Sequence, residues 1–274
     1  MWWNSPHASS RVGDLESTPP THEGMLSESE GRPPAISFRK VSVRLGGQRV
    51  VSDLSFDVQA GERLVLLGRS GSGKSTTLRL VNRLLEPDEG QVVVLGRPAG
   101  EWDPIALRRG IGYVIQQVGL FPHFTTRQNI ELVPRLLGWD EARRRQRVDE
   151  LMDLVGLNEP QFADRYPREL SGGQQQRVGV ARALAADPPI LLCDEPFGAL
   201  DPITRRDLQR EFLALSDRLG TAILFVTHDV GEALLLGHRI VLLEEGEAAF
   251  TGSSAEFRAS ELPVVREFRS GLVE

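Results

Sequence analysis

From residue 36 onward, apolar and polar positions fall into short strand and helix periods. Ile36-Ser37-Phe38, Val41-Ser42-Val43 and, after Gly46-Gly47, Val50 to Val58 read as strands. Leu64 to Leu67, Val92 to Leu95, Ile111 to Ile115, Ile190 to Cys193, Ala222 to Val226 and Ile240 to Leu243 are short, continuous or nearly continuous apolar runs. That is the pattern of strands buried on both faces of a parallel sheet. Helical spacing lies between them. Leu78, Val81 and Leu85 share one face, as do Val178, Ala181, Leu184 and Ala185. Val148, Leu151 and Val155 do the same before a Gly156 stop, and Leu208, Phe212, Leu215 and Leu219 before Gly220. Residues of about 117–168 look helical, closed by Pro167. The alternation predicts an α/β chain with a doubly wound sheet, whose ligand site lies beyond the carboxyl ends of the strands.

The two ends differ from the middle. Residues 1–34 are rich in Ser, Pro, Glu and Gly, lack periodicity and are predicted to be disordered. They hold Asp14, Glu16, Glu23, Glu28 and Glu30 against Arg11 and Arg32, five acids less two bases, or −3. Met25 stands just before the periodic part and is an alternative start, while Trp2-Trp3 is read as part of an unstructured terminus. Residues 253–274 form a short amphipathic tail.

Composition narrows the partners. The 274 residues carry 32 Lys and Arg against 38 Asp and Glu, a net charge of −6, so no basic surplus argues for nucleic acid. The single cysteine, Cys193, falls inside an apolar run and is expected to be a small core residue, which fits a reducing cytoplasm. No apolar run approaches the roughly 18 residues of a membrane span, and Trp2-Trp3 is followed by polar residues, not by a signal-peptide core. Arg143-Arg144-Arg145 and Arg147 form a basic run, read as a solvated helix face or as a contact for an acidic partner or lipid headgroups.

Chemistry is concentrated at three strand ends and one helix start. Gly68-Arg69-Ser70-Gly71-Ser72-Gly73-Lys74-Ser75-Thr76 follows an apolar strand and opens a helix, which is the context of a phosphate-binding P-loop. Glycines let backbone N–H groups close around phosphates, Lys74 reaches the β/γ oxygens, and the Ser75 hydroxyl serves as a magnesium ligand. Asp194-Glu195 ends the strand Ile190 to Cys193; beside such a loop, Asp194 holds magnesium and Glu195 orients and deprotonates a water. A lone His is more often structural, but His228, at the tip of the next apolar strand, stands where a γ-phosphate sensor would be. Ser171-Gly172-Gly173-Gln174 has capping-box spacing, and its helix start presents free N–H groups suited to a phosphate. Taken singly, a glutamine run is a solvated helix start and Asp-Glu-Pro a plain strand exit. Their joint order argues otherwise.

Over about 35–252 these motifs resemble those of ATP-binding cassette (ABC) ATPases, specifically the nucleotide-binding subunits of ABC importers. The resemblance implies a P-loop NTPase with a RecA-like core, an antiparallel β subdomain and an inserted helical subdomain at about 117–168. It makes Glu195, His228 and Gln116 the catalytic set, with Gln116 also touching magnesium beside Ser75 and Asp194. ATP binds through Leu45 and Gly68 to Thr76, and a second subunit contributes Ser171, Gly172, Gly173, Gln174 and Asp201 in trans. Leu45 stands where the family carries an aromatic against adenine, which implies weaker base stacking. Val81 to Pro87, Gly112 to His123 and Glu195 to Arg205 are most similar to importers of glycine betaine, choline and carnitine. Implied partners are membrane permease subunits, a solute-binding protein and a second ATPase subunit, on the cytoplasmic face of the membrane. Many such ATPases carry C-terminal regulatory domains that this sequence is expected to lack. Alternatives are an importer ATPase for an amino acid or lipid, and a non-transport ABC ATPase acting on DNA or ribosomes. A P-loop kinase gives no account of the Ser171 motif.

Overall fold

The computed structural model describes residues 33–157, 160–198 and 200–270. The predicted disorder of residues 1–34 falls almost wholly outside these, as do the last four residues of the tail and Ala199. Among the described residues ten strands run in order: β1 (Ile36–Leu45), β2 (Gln48–Val58), β3 (Arg63–Gly68), β4 (Glu89–Val94), β5 (Arg97–Pro98), β6 (Ile111–Val114), β7 (Ile190–Asp194), β8 (Ala222–Thr227), β9 (Arg239–Glu244) and β10 (Glu247–Ser253). The helices are α1 (Lys74–Val81), α2 (Pro104–Arg109), α3 (Thr126–Ile130), α4 (Leu132–Leu136), α5 (Glu141–Leu154), α6 (Pro160–Ala163), α7 (Gly172–Leu184), α8 (Pro202–Leu219), α9 (Val230–Leu236), α10 (Ser254–Ala259) and α11 (Pro263–Ser270).

Two sheets result. One is antiparallel, in the order β2-β1-β4-β5, and the other has the order β10-β9-β3-β8-β7-β6. In the second, β9, β3, β8, β7 and β6 are mutually parallel and only β10 runs against its neighbour. The continuous apolar runs are these parallel strands. Their two-residue alternation sends Leu64, Leu66, Leu192, Leu224 and Val226 into a core shared with the antiparallel sheet and α1. Val65, Leu67, Leu191, Cys193, Ile223 and Phe225 enter a second core under α7, α8 and α9. Burying each such side chain is worth about 1.5–3 kcal/mol. Cys193 is fully buried, as its position in the run predicts.

Parallel register aligns the strand exits. Leu67 pairs with Thr227, Asp194 with Val226 and Val114 with Cys193, so the loops after β3, β6, β7 and β8 open on one edge. The turn after β7 is anchored by Phe197, only 1% exposed. Its ring meets Phe212 of α8 and Phe225 of β8 with centroids 5.9 and 6.0 Å away.

Two sequence readings are corrected. Helix does not begin near residue 117: residues 115–125 form an irregular loop, and α3 starts at Thr126 behind a Thr125/Gln128 capping box. Gly119 at φ 54° and Pro122 turn the chain there. Asn129, fully buried, fastens the loop with bonds to the Phe121 N–H at 2.8 Å and to the carbonyls of Phe121, Phe124 and Thr125. The basic run on α5 is not simply a solvated face. Arg147 donates to Leu184 O at 3.0 Å, at the C-terminal end of α7, and pairs with Asp187. Arg144 pairs with Glu131 at 3.2 Å, and Arg143 lies 3.5 Å over the Trp139 ring. Among the described residues no helix is long and apolar enough to cross a membrane.

Candidate active site

The loop after β3 is built for a ligand that approaches its backbone. Gly68 admits no side chain, since a Cβ would lie 2.5 Å from both Leu243 O and Ser72 Oγ. Gly73 sits at φ +99°, and a Cβ there would come 2.7 Å from Val50 O, so β2 closes directly on the loop. Gly73 is also the N-cap of α1 and supplies no side-chain bond, which leaves the first N–H groups of that helix for something else.

Lys74 is buried, and its Nζ donates to the carbonyls of Gly68 and Arg69, both at 2.8 Å. Burial holds its pKa below the ordinary lysine value, against the opposing charges of Glu195 and Asp194. The Ser75 hydroxyl donates to Asp194 Oδ1 at 2.9 Å, and the Tyr113 hydroxyl lies 3.4 Å from Oδ2. Burial raises the Asp194 carboxyl, a shift that the Ser75 bond reduces. Burial next to Asp194 pushes Tyr113 up to about 12, so it stays a neutral donor.

Glu195 follows at φ 43°, an uncommon conformation for a non-glycine residue. Its N–H is held by Val226 O at 3.0 Å. The carboxylate is thereby delivered to two neighbours from other strand ends: His228 Nδ1 at 3.0 Å and Gln116 Nε2 at 3.4 Å, both from Oε2. Three residues that the sequence separates by 79 and 33 positions meet on one oxygen.

These groups fit a magnesium–nucleotide phosphate. A hydroxyl and one carboxylate, completed by phosphate oxygens and water, is the donor set that magnesium takes. Among the described residues no three His, Cys, Asp or Glu side chains form an all-protein metal cage, which such a site does not need. Ser72 Oγ, buried in the loop with no partner, and the uncapped helix start add unmet polar groups at the same place.

The residues predicted to act in trans form no hydrogen bond with this cluster among the described residues. Ser171 and Gln174 satisfy each other in a capping box, with Gln174 N–H to Ser171 Oγ at 3.3 Å and Ser171 N–H to Gln174 Oε1 at 2.9 Å. With Gly173 they border a surface cavity of about 340 Å³, beside Thr204 and Asp207 of α8. Gly172, the first residue of α7, is exposed beside them. Asp201 caps α8, accepting from Ile203 and Thr204 N–H at 3.2 and 3.1 Å, and hydrogen bonds from Thr204 hold it below the usual carboxylate value. Thr76 is buried in α1, while Ser70 and Gly71 are exposed on the loop. Leu45 is 39% exposed at the β1–β2 turn. Arg69 leaves the loop to pair with Glu267 and lies 5.7 Å over the Phe268 ring on α11. Tyr113 escaped the sequence reading, although its place on the strand beside β7 is a signal of sorts.

The family model described as "ABC transporter" matches residues 51–198. The glycine betaine/carnitine/choline transport ATP-binding protein OpuCA of Bacillus subtilis is 54% identical over 81% of this chain and 58% of its own length. The osmoprotectant import ATP-binding protein OsmV of Salmonella typhimurium is 51% identical over 81% and 59%. The glycine betaine uptake system ATP-binding protein YehX of Escherichia coli is 52% identical over 80% and 70%. The chain thus spans less than two thirds of the first two of these relatives. A solved dimer of the ATP-binding cassette MJ0796 bound to ADP and Pi superposes with a TM-score of 0.70, at 35% identity, over 80% of this chain and 98% of that one. A family match over more than half of the chain, with relatives more than half identical across four fifths of it, establishes the kinship: this chain belongs to the ABC transporter family of ATP-binding cassettes.

Proposed function

We propose that this chain is the ATP-hydrolysing subunit of an importer, dimerising on MgATP to drive a separate membrane permease. The observation that carries the reading is the convergence on Glu195 Oε2 of His228 and Gln116, next to the Ser75–Asp194 pair. Lys74 and the free N–H groups of the loop hold the β- and γ-phosphates. Ser75, Asp194 and Gln116 hold magnesium, which when bound neutralises phosphate charge. Glu195 orients a water in line with the γ-phosphate and takes its proton; His228 keeps that carboxylate aimed and senses the phosphate. Gln116 ties the reacting centre, through the loop 115–125, to the helices that begin at Thr126, which meet the permease. Leu45 lies against the base and stacks less than an aromatic would.

Ser171, Gly172, Gly173, Gln174 and Asp201 act on the nucleotide of a second subunit. Two findings support this: among the described residues no hydrogen bond joins Ser171 or Gln174 to the Lys74 loop, and the MJ0796 cassette is a dimer. The solutes are quaternary-amine osmoprotectants, delivered by a solute-binding protein, with the chain peripheral on the cytoplasmic face. The names of the relatives support that assignment.

The test is a deletion strain in high salt together with the purified chain. Loss of growth rescue by glycine betaine, choline or carnitine, with MgATP hydrolysis by the parent chain and none by Lys74→Ala, is the expected result. Intact uptake of all these solutes would reassign the substrate, and a parent chain inert toward MgATP would overturn the enzyme.

A further inference from the structure

The turn that presents His228 is held by a buried carboxylate to which nothing above gives a role. Glu232 lies in the first turn of α9 and is 6% exposed. Gln209 Nε2 donates to its Oε1 at 2.8 Å, and the Thr227 hydroxyl bonds to the same carboxylate. Thr227 Oγ1 in turn accepts the N–H of Asp229 at 3.0 Å. Both neighbours of His228 are therefore tied to one residue, Thr227 through the carboxylate and Asp229 through the threonine hydroxyl and by accepting the Glu232 N–H at 2.9 Å.

The other end of this network reaches the Asp201 loop. Gln209 belongs to α8, whose N-cap is Asp201. One turn earlier, Arg205 Nη2 donates to the carbonyls of Leu200 at 3.1 Å and Gly198 at 3.4 Å, the residues that lead into Asp201. Arg205 Nε is buried without a hydrogen-bond partner, and its charge acts on Glu232 favourably. A leucine would fill the space of Glu232 without the cost of desolvating a carboxylate. What a leucine lacks is the directional hold on Thr227 and Gln209.

We propose that Glu232 is a positioning residue that locks the His228 turn to α8, so that His228 stays on Glu195 only while the Asp201 end of α8 is in place. The assignment rests on the hydrolytic reading given above. Glu232 acts through its neighbours; among the described residues it bonds neither Glu195 nor Lys74.

The test is a double-mutant cycle on the full chain, with steady-state and single-turnover hydrolysis of MgATP. Glu232→Gln keeps the volume but removes the charge and leaves one acceptor oxygen where the Gln209 amide and the Thr227 hydroxyl share a carboxylate. It is expected to lower the maximal rate by about tenfold, the size of one lost charge-assisted bond carried through to the barrier. The KM for ATP should stay within about twofold, since the Lys74 loop is untouched. In a His228→Ala background the same change should cost less than about twofold, because the turn no longer carries the group being aimed. Gln209→Leu, which approaches the network from α8 with the carboxylate retained, should repeat the pattern and reads the coupling if Glu232→Gln does not fold. Equal losses with and without His228, a rise in KM alone, or an unchanged rate overturns the assignment. A parent chain that does not hydrolyse MgATP overturns the hydrolytic reading itself, and the positioning role with it.

Discussion

Replacing Glu195 with Gln separates chemistry from assembly. The substitution conserves shape, and the Glu195 N–H stays bonded to Val226 O whatever the side chain. The side chain is 18% exposed, and its Oε2 faces His228 Nδ1 at 3.0 Å. A glutamine keeps one oxygen as acceptor, and an imidazole can donate to that oxygen or accept from the amide, so the change to the fold is within about 1 kcal/mol. The hydrolytic rate fares differently. An amide cannot take a proton from water, and a positioned general base contributes roughly 10²–10⁴, or about 2.7–5.4 kcal/mol of barrier. Lys74, Ser75 and Asp194 are unchanged, so nucleotide binding persists. The variant is expected to turn over at least about a hundredfold more slowly and to accumulate as a MgATP-bound dimer, read by light scattering after size exclusion. Adding Ser171→Arg removes the α7 cap at a cost of about 1 kcal/mol, which leaves the helix folded, and places a long side chain where the second subunit's phosphate must dock. That double variant should bind ATP and remain monomeric. A double variant that still dimerises on MgATP, or a Glu195→Gln chain hydrolysing within about tenfold of the parent, refutes the shared-site reasoning.

Two further outcomes test the coupling and the loop. Gln116→Ala removes the 3.4 Å contact to Glu195 and the connection to the helical segment, so uptake by the assembled transporter should fall more than ATP affinity; intact uptake would show that the coupling lies elsewhere. Gly73→Ala forces a side chain into φ +99° and to within 2.7 Å of Val50 O, and should lower the melting temperature by several degrees and weaken ATP binding, whereas Gly100→Ala, with open space around it, should do neither.

What the sequence revealed and what it hid divide along contact range. The loop from Gly68 to Thr76 and the Ser171 capping box are local: their residue spacing is their geometry. Strand ends were legible for a similar reason, because a fully apolar run that stops at Asp194 or Thr227 marks its own exit. The partners of those ends were not. Tyr113 meets Asp194 across 81 positions, and Gln209 meets Glu232 across 23. Each contact exists only because β6 pairs with β7, or because α8 packs beside α9, and no short window records strand order. The start of α3 is hidden for a subtler reason. Asn129 satisfies the loop before it with four bonds, and an asparagine in a helical stretch gives no hint that it is folding the preceding chain.

The order of the parallel sheet also sets how force passes through the molecule. β3, which carries the Lys74 loop, is clamped between β9 and β8, whereas β6, which leads to Gln116, is a four-residue margin strand with a neighbour on one side only. The phosphate-binding loop therefore springs from the stiff middle, where any tilt would shear two ladders at once. The helical segment is rooted in that rim strand, so tilting it loads the short β6–β7 pairing and its own packing on α7 before it reaches the two ladders that flank β3.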